Sequence, residues 1–236
     1  MRYEGMSLAV RVLRRILWSL GYAARPRTGS WDPMQLERIG SRPRTIVDVG
    51  VAQGTPELYG AFPDAHLVLI EPLVEFQPCI SQFLDHHRGT FFPVGLGAHP
   101  GMRTMYIEPK YMERSSLFKR APAEASGERH STRGIAVTTL DALLAEHHFA
   151  PPFGLKIDAE GCEYEIIQGA AEFLRLTDFV IAEVAVPRRF DGGYEFLGFI
   201  ELMSSRGFVV SEVLDIGRAP DGSLAFLDMV FTRKQR

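Results

Sequence analysis

Three apolar runs in this 236-residue chain end in carboxylates: TIVDVG carries Asp48, HLVLIEP carries Glu71, and FGLKIDAEG carries Asp158 and Glu160. A fully buried strand reads as such a run, and a carboxylate at its end stands at the sheet rim where α/β folds bind ligands. After Asp48 come Gly50 and Gly54. A dinucleotide fingerprint starting at Gly50 needs glycine at 52 and 55, and the chain has Ala52 and Thr55 there. A carboxylate beside this turn opposes a pyrophosphate but suits an ammonium group. Glu71 closes the second run, where an acidic side chain takes both hydroxyls of a ribose.

An ammonium at one end and a ribose at the other describe S-adenosylmethionine. Methyl transfer from a sulfonium is an in-line displacement that asks the protein for alignment and for a base to take the acceptor's proton. Asp158 and Glu160 are the first candidates for that base, with one of them alternatively capping the helix that begins near Cys162. His99 and His130 lie in loops past the third strand, within reach of substrate, whereas the other five histidines fit solvated or capping roles. Glu183 ends a later strand, and with Asp158 it makes Mg²⁺ binding possible, although no metal-ligand motif marks a site. Lys156 reads as a structural ion-pair partner.

These residues need a sheet to hold them. Strands are expected at Thr45–Val49, His66–Ile70, Thr90–Val94, Phe153–Ile157 and Asp178–Val184, alternating with helices at Pro56–Phe62, near Phe76–Asp85 and at Glu195–Ser205, the pattern of an open, mostly parallel α/β sheet. Cys162, Ile166, Ile167, Ala170, Phe173 and Leu174 trace a helical apolar stripe. Phe208–Val213 and Ala225–Thr232 form a closing hairpin around Pro220, Asp221 and Gly222. Met102–Ile107 and Gly134–Val137 are additional strands, separated by a polar insertion. That insertion carries Lys110, Arg114, Lys119, Arg120, Arg129 and Arg133 with Tyr111 and Phe118, which suits a lid over a polar or anionic substrate.

With 26 basic and 29 acidic residues the formal net charge is -3, so nothing draws the whole chain to a phosphate backbone. The turn after the fourth core strand reads IDAEG, not the NPPY or DPPY of enzymes that methylate base nitrogens, and nucleic acid is excluded as a partner. Cys79 and Cys162 stand alone, as expected of reduced thiols in a cytoplasmic protein. Residues 1–40 read as an amphipathic helix and linker preceding a domain over 41–236. In MSLAVRVLRRILWSL, arginines at 11, 14 and 15 interrupt any spanning run, while Leu13, Ile16, Leu17 and Leu20 share a face. That face suits packing on the body or a second subunit, or peripheral membrane contact.

LKIDAEGCEYEIIQGA, from Leu155 to Ala170, resembles the LKIDVEGxExxxLxGA signature of FkbM-type methyltransferases. The DVGxxxG turn, the EP at Glu71 and Pro72, and the TLD at Thr139 to Asp141 occur in the family's order, so the resemblance covers about residues 44 to 232. It implies a class I methyltransferase (Rossmann-like) fold: a seven-stranded mostly parallel sheet with helices on both faces, its last strand antiparallel, here with an N-terminal helical extension. It also implies a cofactor site at Asp48, Gly50, Gln53, Gly54, Glu71, Pro72, Gly95, Leu96 and Asp158, catalytic roles for Asp158, Glu160 and His99, and a hydroxyl acceptor on a small natural product, sugar or glycan. Two other readings stay open from the residues. A nicotinamide-dependent oxidoreductase shares the sheet and the ribose acid, and a non-catalytic binding scaffold keeps the cofactor residues behind a blocked acceptor pocket.

Overall fold

The computed structural model describes residue 31 and residues 33–121 and 131–234. Seven strands form the main sheet: β1 (Thr45–Val49), β2 (His66–Ile70), β3 (Gly89–Phe92), β7 (Phe153–Ile157), β8 (Thr177–Ala185), β9 (Phe208–Arg218) and β10 (Leu224–Arg233). Their order is β3-β2-β1-β7-β8-β10-β9. The five strands from β3 to β8 pair in parallel, and β10 runs antiparallel to both of its neighbours. Every residue of β1 and β7 is buried, which is why neither run alternates polar with apolar; the two charges among them, Asp48 and Lys156, pair with each other.

One face carries Val47, Val49, Leu155, Ile157, Val180 and Ala182, covered by helices α4 (Leu140–Glu146), α5 (Glu163–Gln168), α6 (Ala171–Arg175) and α7 (Phe196–Ser205). The other carries Ile46, Leu67, Leu69, Phe179 and Ile181. It is covered by α1 (Pro33–Glu37), α2 (Pro56–Ala61) and α3 (Gln77–Leu84), which bring Leu36, Leu58, Tyr59 and Ile80 into the core. Pro56 opens α2 at a position that needs no N–H donor.

A second sheet, β4 (Gly95–Leu96), β6 (Ser131–Thr138) and β5 (Gly101–Ile107), packs on that same face through Met105, Ile107, Ile135 and Val137. The third strand expected over Thr90–Val94 is thus divided between the two sheets, because the chain leaves β3 at Phe92 and re-pairs with β6 at Gly95. The single apolar stripe from Cys162 to Leu174 is two helices. They break at Gly169, whose Cα lies so near the Gly97 carbonyl that an added Cβ would stand 2.4 Å from it. Residues 33–37, read as linker and turn, are helix α1, with Trp31 and Leu36 buried in the core. The amphipathic stretch from 6 to 20 lies outside the described residues, as do Arg129 and His130. Among the described residues no helix is long and apolar enough to cross a membrane.

Candidate active site

The carboxyl ends of β1, β2, β7 and β8 converge on a cavity of about 160 Å³. Gly50, Ala52, Glu71, Pro72, Gly95, Leu96, Asp158, Glu160 and Glu183 line it. A larger cleft of about 610 Å³ sits at the other ends of the strands, around Thr45, His66 and Thr90. Volume does not choose between them. In parallel sheets the loops that leave the carboxyl ends build the ligand site, and the motif residues meet in the smaller cavity.

Two turns make the floor. At Gly50 the backbone has φ +72 and lies against the chain after β7, so a Cβ would stand 1.7 Å from the Asp158 carbonyl oxygen. No residue but glycine fits there. Ala52 is also left-handed, at φ +43, a conformation uncommon for a residue with a side chain. Its N–H donates to Glu71 Oε2 at 3.1 Å, and the Leu73 N–H donates to Oε1 at 2.9 Å. Glu71 is therefore fixed by backbone while each oxygen keeps a second acceptor site for a ligand hydroxyl. Burial pushes its carboxyl above the ordinary range, against the pull of those two bonds.

Asp48 has a different task. It is fully buried, and its Oδ2 accepts from the Tyr59 hydroxyl at 2.6 Å and the Thr55 hydroxyl at 2.9 Å, while Oδ1 lies 3.1 Å from Lys156 Nζ. Its partners are inside the protein, so the expected contact with a ligand ammonium gives way to tying β1, β7 and α2 together. Gly54 is likewise a packing position, since a Cβ would stand 2.1 Å from the Phe83 ring. Gln53 is exposed on the turn, and His99 is exposed between β4 and β5. Neither lines the cavity.

The loop after β7 supplies the acids at the reacting end. Asp158 has 41% of its side chain exposed, with Oδ2 3.7 Å from Lys156. Burial opposes the charge on Lys156, but Asp48 and Asp158 outweigh it and hold the ammonium above the usual lysine value. Glu160, at φ +46, is held by Arg120 at 3.0 Å and Arg189 at 3.3 Å, and Arg189 also reaches Glu183 at 2.9 Å. Burial raises the carboxyls of both Glu160 and Glu183, and at Glu183 the nearby charges of Asp158 and Glu160 add to it. The two guanidinium groups thus answer Glu160 and Glu183 from within the protein. Among the described residues no group of three or more His, Cys, Asp or Glu side chains is arranged to hold a metal.

The cap of the loop is neither Asp158 nor Glu160 but Glu163, which accepts from the N–H groups of Ala159 at 2.9 Å and Gly161 at 3.1 Å. The TLD segment is structural in the same sense. Thr139 accepts from the Ala142 N–H to start α4, and Asp141 accepts from the N–H groups of Glu172 and Phe173 to start α6.

The insertion contributes Met112, Glu113, Ser115 and Leu117 to the cavity wall. Of its basic residues, Arg120 holds the lining acid Glu160 from behind, and Arg133 pairs with Glu75 outside the cavity. The lining residues of this segment carried no motif. The basic and aromatic composition that drew attention to it belongs to a segment whose described wall residues are Met112, Glu113, Ser115 and Leu117.

This strand order, with one antiparallel strand and a cavity at the carboxyl ends of the parallel strands, is the class I methyltransferase fold. The family described as the methyltransferase FkbM domain matches residues 48–210, and the chain belongs to that family of S-adenosylmethionine-dependent methyltransferases. A solved structure of the methyltransferase FkbM from Methylobacillus flagellatus KT superposes with a TM-score of 0.50 at 15% identity, covering 80% of this chain and 43% of that one. The chain thus spans less than half the length of that relative. A putative O-methyltransferase from Klebsiella pneumoniae gives a TM-score of 0.48 at 12% identity, covering 99% of this chain and 93% of that one. The magnesium protoporphyrin IX methyltransferase of Synechocystis PCC 6803, with bound cofactor, gives 0.46 at 11% identity over 98% and 86%. No curated protein matches the chain.

Proposed function

We propose that the protein transfers a methyl group from S-adenosylmethionine to a hydroxyl of a small natural product, sugar or glycan, with Asp158 as the general base. The observation that carries this is Asp158 itself, a part-exposed carboxylate lining the cavity, while Glu160 and Glu183 beside it are held by arginines. Glu71 receives the ribose hydroxyls, Gly50 lets the backbone approach the ligand, and Pro72, Gly95 and Leu96 line the remaining wall. The bound cofactor supplies the electrophilic methyl carbon. Asp158 accepts the acceptor's proton as the oxygen becomes bonded to carbon. Leu117, Met112 and Cys162 give this end an apolar lining that limits water.

Asp158→Asn keeps the size of the side chain but cannot take a proton. Assayed at saturating cofactor, with an acceptor found by a labelled-methyl screen, it should lower turnover by about 10² to 10⁴. Near-normal turnover would move the base to Glu183 or Glu160.

A further inference from the structure

The cleft of about 610 Å³ at the amino ends of the strands is built by the segments that lead into β1, β2, β3 and β7. Its charge is one-sided. Arg42, Arg44 and Arg88 stand there with His66 and His148, and Asp64 is the one acid among the described lining residues. At the cofactor cavity the arginines are held by carboxylates, whereas here Arg88 donates to the backbone carbonyl of Asp64 at 3.1 Å. Among the described residues no carboxylate pairs with Arg42, Arg44 or Arg88. In a chain of net charge -3, such a concentration of unanswered cations is a local feature of this end of the sheet. Burial and the Arg88 charge hold the His66 imidazole below its ordinary range, so the positive field reaches the half-buried floor of the cleft. The walls are fixed as well. Phe62 stacks on Phe179 with ring centroids 5.5 Å apart, Phe149 lies 5.9 Å from the His66 ring, and His66 Nε2 is 3.1 Å from the Thr90 hydroxyl oxygen.

We propose that this cleft is a second ligand site, separate from the methyl-transfer cavity, and that it takes a phosphate monoester carrying an apolar or aromatic group. Guanidinium forks match the oxygens of a phosphate, and a monoester carries close to two negative charges at neutral pH. A phosphate alone leaves most of the space empty. The volume falls within the roughly 300 to 1,000 Å³ of small-molecule sites, and Phe62 and Phe149 offer apolar surface to the organic part of the ligand. The cleft and Asp158 lie at opposite ends of the strands, so a ligand here stands apart from the reacting atoms. A soluble phosphorylated metabolite and the headgroup of phosphatidic acid present the same chemistry to these arginines.

Calorimetry on the full chain with phenyl phosphate, inorganic phosphate and benzoate, beside sedimentation with phosphatidylcholine vesicles with and without phosphatidic acid, tests the site and separates the two sources. Phenyl phosphate should bind more tightly than either small comparison. Arg44→Ala and Arg88→Ala should each weaken it by about three- to tenfold, a modest loss because the cleft is open to solvent and salt, while affinity for S-adenosylmethionine stays unchanged. Sedimentation that requires phosphatidic acid and is lost when both arginines are replaced assigns the phosphate to a lipid headgroup. Binding of phenyl phosphate without such sedimentation assigns it to a soluble ligand. Absence of both overturns the proposal, and so does an affinity for phenyl phosphate that neither substitution alters. Benzoate binding as tightly as phenyl phosphate overturns the choice of phosphate. Failure of S-adenosylmethionine to bind the wild type would overturn the cofactor reading and leave this site standing.

Discussion

Glu71 shows how little freedom a binding carboxylate is left. Two backbone N–H groups, from Ala52 and Leu73, approach its two oxygens from different turns, so side-chain orientation is settled before any ligand arrives. Preorganisation of this kind lowers the ordering cost of binding. A charge-assisted hydrogen bond contributes roughly 1.5 to 3 kcal/mol. Glu71→Ala should therefore weaken cofactor binding by about ten- to a hundredfold or more, read by calorimetry alongside an unfolding midpoint that reports whether the turn survives. Unchanged affinity in a folded variant would remove Glu71 from the site. Asp48 looks much the same in sequence, yet its oxygens answer Thr55, Tyr59 and Lys156. The two acids share a face of the sheet but differ in depth: Asp48 lies inside β1 opposite Leu69, whereas Glu71 stands one residue beyond the end of β2, at the rim where a ligand can reach it.

At the scale of elements, the loop between β7 and α5 decides where Asp158 and Glu160 stand, and Glu163 decides the loop. Its carboxylate is fully enclosed, takes its hydrogen bonds from backbone N–H groups, and is pushed by burial up to about 7 from an ordinary 4.5. Because the folded protein holds this proton more tightly than the unfolded chain, the contribution to stability is complete below about pH 4.5 and is lost as pH rises through 7. Glu163→Gln cannot titrate and keeps an acceptor oxygen for the loop. Urea unfolding at pH 4.5 and pH 7.5 should show the wild type losing roughly 2 to 4 kcal/mol more than the variant between the two. Equal losses would mean that Glu163 is already ionised throughout. The small sheet of β4, β5 and β6 has a related positioning role, since Met105 and Ile135 come from it to close one side of the cavity.

At the scale of the whole molecule, every described residue that lines the cavity falls between Val49 and Glu183. Removal of residues 1–30 should leave cofactor affinity within about twofold by calorimetry, and any effect of the segment should appear in self-association or substrate capture instead. A truncated, folded protein that no longer binds would make the segment part of the site. The cut must spare Trp31. Its indole N–H donates to Asp228 at 2.8 Å, and Asp228, whose carboxyl burial raises to about 6, lies opposite Glu183 in the pairing of β10 with β8. Trp31→Ala should cost about 3 to 5 kcal/mol, a loss measurable in the same unfolding experiment.

Much of this was legible along the chain because parallel strands buried on both faces must be apolar runs, and the ends of those runs are where ligands bind. β1 and β2 match their expected bounds, β7 does as well, and Glu71 and Asp158 were visible as the acids that close such runs. The pairing of partners was not legible. Nothing in DAEGCE says that the third acid of the motif caps the loop while the second is clasped by arginines 40 residues upstream and 29 downstream. Nor does a DVG turn reveal that its aspartate faces inward to Lys156. Local sequence determines strand, turn and backbone handedness, because sterics act between neighbours. Whether a carboxylate serves a ligand, a cation or a backbone amide is decided by groups distant in sequence, which only the folded chain brings within hydrogen-bonding reach.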